Sequence, residues 1–380
     1  MQKKLIALAV AGLLSAPAFA QSNVTLYGTI DYGFVSQGSN HNEYVNGDKI
    51  KARNGLDSGI SKANRIGFKG VEDLGNGLKA VFVLENGLAG DSTGVGMFNG
   101  ANRQTYAGLA GAFGTVAFGR QYTPQHLFTA SVDPFGKQGL GGAGNVLFQD
   151  RRLNNLAAYI SPDFGGFKVI LGYSFEAGVL QEQEALENNS DVRVWAIAPS
   201  FTWNNLFVGA NYHTARMNRD NSTGDKSQSL FNTIDLFASY DFGFVKVGST
   251  IGRRTTKKAI LGSDKDGKIT QFMIGATFRI TPSDSIMTSY SRASENKLYN
   301  NWDKLRIDQF AIGYEHALSK RTALYSQFSM IGRNKAVKDD HGVYFSTLGD
   351  NGHVGDVMGS VNANTLGYRR GFTVGMRHDF

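Results

Sequence analysis

From Val24 to the last residue the chain repeats one pattern: segments of about ten residues in which apolar and polar side chains alternate, separated by polar turns and loops. A period of two is that of a β-strand, whose successive side chains point to opposite faces. In the first segment Leu26, Gly28, Ile30, Tyr32 and Phe34 fall on one face, with Tyr27, Thr29 and Asp31 on the other. Leu78, Ala80, Phe82 and Leu84 alternate with Lys79, Val81, Val83 and Glu85; Phe167, Val169, Leu171 and Tyr173 alternate with Lys168, Ile170, Gly172 and Ser174. The final run, Arg370 to Phe380, sets Phe372, Val374, Met376, His378 and Phe380 against Thr373, Gly375, Arg377 and Asp379. Charged residues repeatedly take the face opposite the apolar one.

The separators alternate in length. Seven are short: Glu72–Gly77, Gly111–Gly114, Ser161–Gly166, Trp203–Asn205, Asp241–Gly243, Thr281–Asp284 and Ala317–Arg321. Eight are longer and polar, around 37–59, 89–102, 122–150, 177–190, 217–229, 255–267, 296–304 and 334–369. Seven turns and eight loops join sixteen strands, with both chain ends on the short-turn side. The fold class read from this is all-β, a closed sixteen-stranded antiparallel transmembrane barrel, because pairing the first strand with the last removes the sheet edges. A barrel of that size encloses water rather than a packed core. A soluble β-sandwich has the same period. The turn-loop asymmetry, the terminal aromatic and the N-terminus together favour the barrel.

At the N-terminus Lys3 and Lys4 precede the apolar run Leu5 to Leu14, followed by Ala18-Phe19-Ala20. These are the three parts of a cleaved secretory signal peptide, so residues 1–20 are expected to be removed and 21–380 to form one domain. No later stretch approaches the twenty apolar residues of a membrane-spanning helix, and mean hydropathy is −0.24. The 26 Phe, 15 Tyr and 47 Gly against only 6 Pro suit strands, tight turns and aromatic girdles. With no Cys, a disulfide framework is excluded despite export. The formal charge is +7, and +5 without the leader's two lysines. That excess is scattered rather than clustered with aromatics, which argues against nucleic acid and toward small anions or anionic lipid.

Val24-Thr-Leu-Tyr-Gly28, the run Arg65 to Ala80, Phe118-Gly-Arg-Gln121, Ser161-Pro-Asp-Phe164, Ser319 to Tyr325 and Gly375-Met-Arg-His378 before Phe380 together resemble the general porins of Gram-negative bacteria, the betaproteobacterial branch above all. The resemblance runs from leader to terminus. It implies an outer-membrane homotrimer, each barrel a water-filled pore for passive diffusion of small hydrophilic solutes and inorganic anions, with no cofactor and no enzymatic step. It also implies lipopolysaccharide and other outer-membrane lipids as neighbours, and recognition of the C-terminal strand, ending in Phe380, by the barrel-assembly machinery. A solute-specific channel, or a barrel serving as surface receptor or adhesin, are the alternatives.

Members of that family fold the third long loop into the barrel as a constriction. Here that loop is about 122–150, with Asp133 and the run Gly139 to Gly144. Resembling porins face it with a ladder of basic side chains, and the positions that match are Arg65, Arg120 and Arg152, with Lys79 on the polar face of its strand. A row of cations across from Asp133 would set a transverse field favouring anions. Arg120 shares parity with Val116 and Phe118, so only a bulge or strand end would turn it inward. Arg151 competes with Arg152. Tyr240, Tyr314, Trp203 and Phe380 suit the membrane interfaces. Other chemistry is thin: His213 and His316 lack a Gly-x-Ser-x-Gly elbow or a His-Glu-x-x-His pattern, and Asp264 to Lys268 lacks the acidic twelfth position of a calcium loop. Asp339, Asp340, Asp350 and Asp356 are acidic loop residues read as solvated charge.

Overall fold

The structure, a computed structural model, describes residues 23–38, 44–45, 48–49, 52–88, 102–148, 152–175, 177, 192–220, 226–256, 266–295, 305–333 and 370–380. The strands are β1 (Asn23–Gly38), β2 in two pieces (Arg53–Ser58 and Arg65–Gly75), β3 (Leu78–Gly87), β4 (Asn102–Gly111), β5 (Gly114–Tyr122), β6 (Arg152–Ile160), β7 (Phe167–Ser174) and β8 (Val192–Trp203). Then follow β9 (Leu206–Asp220), β10 (Lys226–Asp241), β11 (Val245–Thr256), β12 (Gly267–Arg279), β13 (Asp284–Glu295), β14 (Leu305–Ala317), β15 (Thr322–Arg333) and β16 (Arg370–Asp379). Each pairs antiparallel with its sequence neighbours. The upper half of β1 pairs with both β2 and β16, from Thr29↔Asp379 to Gly38↔Arg370, so the sheet closes on itself as a barrel of sixteen strands.

The closure is finished by the terminal residue. Gly28 and Phe380 exchange backbone hydrogen bonds at 3.0 and 3.1 Å. The Phe380 ring lies over Gly28 so closely that a Cβ there would stand 2.3 Å from it, and 2.6 Å from the Arg65 carbonyl oxygen. Only glycine leaves room for the last side chain to seal the seam.

Alternation decides what each face meets. Leu26, Ile30, Tyr32 and Phe34 are exposed on the outside, whereas Thr29 and Asp31 are fully buried on the inside. The same division holds around the wall: Trp195, Ile197, Leu236, Ile251, Ile274, Phe310, Ile312, Phe372 and Val374 are exposed, while Asp235, Gln271, Ser291, Gln309, Gln327 and Thr373 are buried. So large a continuous apolar exterior is not sustained in water; it is the surface of a protein immersed in lipid. Trp203, Tyr240 and Tyr314 lie exposed near the short-turn end, joined by Phe164, Phe242 and Phe244, an aromatic girdle at one interface.

Two stretches turn inward. The third long loop leaves β5 and folds into helix α1 (Pro124–Val132), capped by the Thr123 hydroxyl accepting from His126 N and opened by proline at its first position. Phe128 packs edge-on against Phe207 and Phe237 of the wall, in a cluster with Val132, Ala143, Leu147 and Met273. The sequence pattern does not show the second stretch. Pairing of β2 with β1 begins at Arg53, inside what reads from the sequence as the loop 37–59, and is then interrupted over residues 59–64. Asp31 holds that interruption: its Oδ2 accepts from Ser61 N at 2.8 Å and Lys62 N at 2.6 Å, and its Oδ1 accepts from the Tyr325 hydroxyl. β9 and β10 also run further than expected, leaving only 221–225 between them rather than 217–229. The leader 1–20, Arg151, Asp264 and the acidic positions Asp339, Asp340, Asp350 and Asp356 lie outside the described residues.

Candidate functional site: the lumen constriction

Inside the barrel, the loop that follows β5 is tied to the far wall by side chains of the inward face. Gln309 Nε2 donates to Leu140 O at 2.8 Å, Lys246 Nζ to Ser131 O at 2.9 Å, and Gln125 Nε2 to Asp235 Oδ2 at 2.9 Å. The second inward stretch touches the same loop, with Ala63 N donating to Gln138 Oε1 at 2.9 Å. Two segments therefore narrow the lumen together, and hydrogen bonds hold each in place.

On the side from which the loop springs, charged residues of β2 to β6 form one network. Arg103 Nε donates to Glu85 Oε1 at 2.6 Å, and Arg103 Nη2 to the Tyr122 hydroxyl at 2.7 Å. Arg152 Nη2 donates to the same hydroxyl at 3.1 Å, with its guanidinium 4.7 Å from the Tyr122 ring centre. Tyr27 donates to Glu85 Oε2 at 3.1 Å. Arg65 Nε donates to Thr29 Oγ1 at 3.3 Å and lies within the fields of Arg103 and Glu85. The three guanidinium groups cluster on one side of the lumen, and of them Arg103 bonds the Glu85 carboxylate directly. Arg103 and Arg152 are buried and Arg65 is half-buried, so Arg65 presents the positive charge to the lumen and the others support it from behind.

The expected ladder is thus brought together only in part. Arg65 and Arg152 meet through Glu85, Arg103 and Tyr122. Arg120 lies where the β5–β6 register shifts, between Gly119 at φ 132° and Gln121 and opposite Asn155 at φ 47°; its Nη1 donates to Asn154 Oδ1. Lys79 is elsewhere. It is exposed at the short-turn end of β3, opposite Asp73, six residues and about 20 Å along the strand from Glu85.

Asp133 departs from expectation as well. It is buried, and its carboxylate accepts from the backbone N–H groups of Phe135, Lys137 and Ala143 at 3.1, 2.9 and 2.8 Å. It organises the loop's own turn instead of facing the arginines across open lumen. Burial pushes its pKa up to about 6, against the downward pull of those three donors and of Lys137. Lys137 Nζ in turn meets His126 Nδ1 at 2.9 Å, and the His126 ring stacks on Tyr122 at 4.3 Å, which links the loop to the arginine network.

Arg103 escapes the sequence reading for a physical reason. By alternation it belongs with Thr105, Ala107 and the exposed Leu109 on the outer face, but a register shift between Leu84 and Asn86 turns it inward onto Glu85. The available signal is a lone arginine two residues into a strand, opposite a lone glutamate. His213 and His316 do not converge: His213 is buried on β9 beside Asn211, and His316 bonds Asp284 at 2.7 Å next to a short turn. Among the described residues no group of three or more His, Asp or Glu is placed to hold a metal ion.

The model of the Gram-negative porin family matches residues 7–336. This chain belongs to the Gram-negative porins. It is 32% identical to outer membrane porin protein 32 of Delftia acidovorans over the full length of both chains, and 29% identical to an outer membrane porin protein of Bordetella pertussis over 90% of this chain and 96% of that one. The solved anion-selective porin from Comamonas acidovorans superposes with a TM-score of 0.73 at 28% identity, covering 95% of this chain and 100% of that one. The trimer form of OmpT from Vibrio cholerae, at 15% identity and a TM-score of 0.64, shares the fold, covering 94% of this chain and 99% of that one. The porin is a channel protein of the bacterial outer membrane. Its short turns are periplasmic and its long loops extracellular.

Proposed function

We propose that this porin is a trimeric, anion-preferring diffusion channel whose filter is the Arg65–Arg103–Arg152 group facing a loop whose described carboxylate, Asp133, is buried. The observation that carries the reading is the cluster of three guanidinium groups at the constriction, together with the burial of the carboxylate on the described part of the facing loop. Arg65, Arg103 and Arg152 stand together around Glu85, and the one carboxylate of the described loop residues 123–148, Asp133, is turned inward on its own backbone. A unit charge about 8 Å from a passing ion, at an effective dielectric near 20, is worth about 2 kcal/mol, roughly thirtyfold in local concentration before screening. At about 0.1 M salt the Debye length of ~10 Å trims this but does not cancel it inside a narrow lumen. The solved relative described as an anion-selective porin supports the same sign.

Solutes pass downhill, selected by width and fixed charge. The protein is further proposed to be exported by the leader 1–20, to be inserted by the assembly machinery through its C-terminal strand, and to sit among lipopolysaccharide. N-terminal sequencing of the mature protein should begin at Gln21. Planar-bilayer recording should show conductance steps grouped in threes that do not saturate with solute. Saturation at low solute concentration would instead establish a solute-specific channel, and silent bilayers with tight ligand binding would establish a receptor.

A further inference from the structure

Basic residues also stand on the outer face, where lipid is expected. Ile234 and Leu236 of β10, Ile251 of β11 and Phe272 of β12 line an outward groove closed at its extracellular side by Arg253 and Arg292. Ile234, Leu236 and Ile251 are each more than half exposed, so the floor is open to acyl chains. Arg253 occupies the outward position directly above Ile251, three residues from the extracellular end of β11, paired across to Ile234 and Thr270. It is exposed and makes no hydrogen bond or ion pair with a described residue.

Arg292 is held differently. Its Nε donates to Asp308 Oδ1 and its Nη2 to the Tyr290 hydroxyl, while its guanidinium lies 6.0 Å from the Phe272 ring centre. Arg306 shares the same carboxylate at 3.1 Å. Arg292 is thus tied to a carboxylate, whereas Arg253 brings a positive charge to a surface whose neighbours are hydrocarbon. An outward arginine near the membrane interface costs little, but it gains nothing from bare acyl chains. Its long stem reaches toward the head-group level, where an anionic head can engage it.

We propose that this groove binds a phosphorylated, acylated lipid of the outer leaflet, its phosphate held by Arg253 and Arg292 and an acyl chain lying on Ile234, Leu236, Ile251 and Phe272. Arg292 is fixed by Asp308 and Tyr290, so one half of the phosphate clamp is already in place. Arg253, exposed and without a bond to a described residue, supplies the other half. The site is separate from the lumen, so its occupancy does not alter the filter.

Native mass spectrometry of the delipidated porin in detergent tests this, with bis-phosphorylated lipid A, its dephosphorylated form and inorganic phosphate as probes. Phosphorylated lipid A should bind wild type at least about tenfold more tightly than the dephosphorylated form, and Arg253→Gln/Arg292→Gln should abolish that preference. Arg253→Gln alone, which leaves the Asp308 network intact, should remove a large part of it, with single-channel conductance unchanged as evidence of a folded barrel. Millimolar phosphate should not displace the lipid. Equal affinity of the double variant and wild type for the phosphorylated lipid would overturn the proposal. So would displacement by free phosphate, which makes the site an ion site, or an altered number of protomers in Arg253→Gln, which makes the face a subunit contact.

Discussion

Replacing Asp31 by Ala should release the inward stretch 59–64 while leaving the barrel closed. The carboxylate accepts from two consecutive backbone N–H groups, Ser61 and Lys62, and from the Tyr325 hydroxyl, all in a fully buried position. Hydrogen bonds to a charged acceptor contribute about 1.5–3 kcal/mol each. Pore water can re-solvate the two freed amides once the stretch moves, so the loss for the segment should be nearer ~3 kcal/mol than the full sum, about a hundredfold in its opening equilibrium. Asp31→Asn can turn its amide oxygen to the two amides and its NH2 group to the tyrosine oxygen, keeping neutral bonds of about 0.5–1.5 kcal/mol each; its effect should be roughly tenfold. Hydrogen–deuterium exchange on peptides spanning 59–64 reads this directly, with alanine exchanging fastest, asparagine intermediate and the β8–β14 wall unchanged. Because Ala63 is bonded to Gln138 of the constriction loop, open-channel current noise should rise in the same order. Unchanged exchange over 59–64 in the alanine variant, or a loss of protection spread evenly around the barrel, would refute the reasoning.

Gly28→Val should lower the yield of refolded, heat-modifiable barrel, because its side chain would meet both the Phe380 ring and the Arg65 carbonyl, an overpacking of about 1–3 kcal/mol or more; truncating Phe380 as well should restore the yield only partly, and a normal yield for Gly28→Val would contradict the seam as described. Arg103→Gln should reduce anion preference, whereas Lys79→Gln, about 20 Å away along β3, should leave the zero-current potential where it was; equal shifts would mean that selectivity is set at the periplasmic mouth. Asp133 binds its proton more tightly in the folded loop, at about pH 6, than in an unfolded chain, near about 3.9. The loop's docking should therefore weaken as pH rises from about 4 through 6, by roughly 3 kcal/mol at most. Exchange protection over 133–143, corrected for the intrinsic pH dependence of exchange, should be higher at about pH 4.5 than at about pH 7.5, with the difference absent in Asp133→Asn. Protection that grows with pH would reverse the sign.

The wall is legible in the sequence because lipid on one side and water on the other impose a strict period of two, and the positions of Leu26 to Phe34 or Phe167 to Tyr173 obey it. The turns are legible for the same reason. What the alternation does not show is where it fails. Arg103 faces Glu85 because one register shift reverses its parity, and Arg120 lies at another; such shifts leave no mark in a hydrophobic pattern. Asp133 reads as a lumen charge because its sequence neighbours do not reveal that three amides of its own loop converge on it. The inward stretch 59–64 is hidden because its anchor, Asp31, lies about thirty residues away in the chain and its second support, Tyr325, nearly three hundred. The alternation places Asp31 on the correct face, but which residues it holds follows from barrel closure.

The central claim is that lipid surrounds a wet lumen whose fixed charge at the constriction is positive. The zero-current potential of the purified porin across a planar bilayer, in a roughly tenfold KCl gradient, tests it most directly. The account predicts a potential with the sign of chloride permeation, moving toward zero when Arg65, Arg103 and Arg152 are replaced by Gln. A potential with the sign of potassium permeation in the unaltered protein would contradict it.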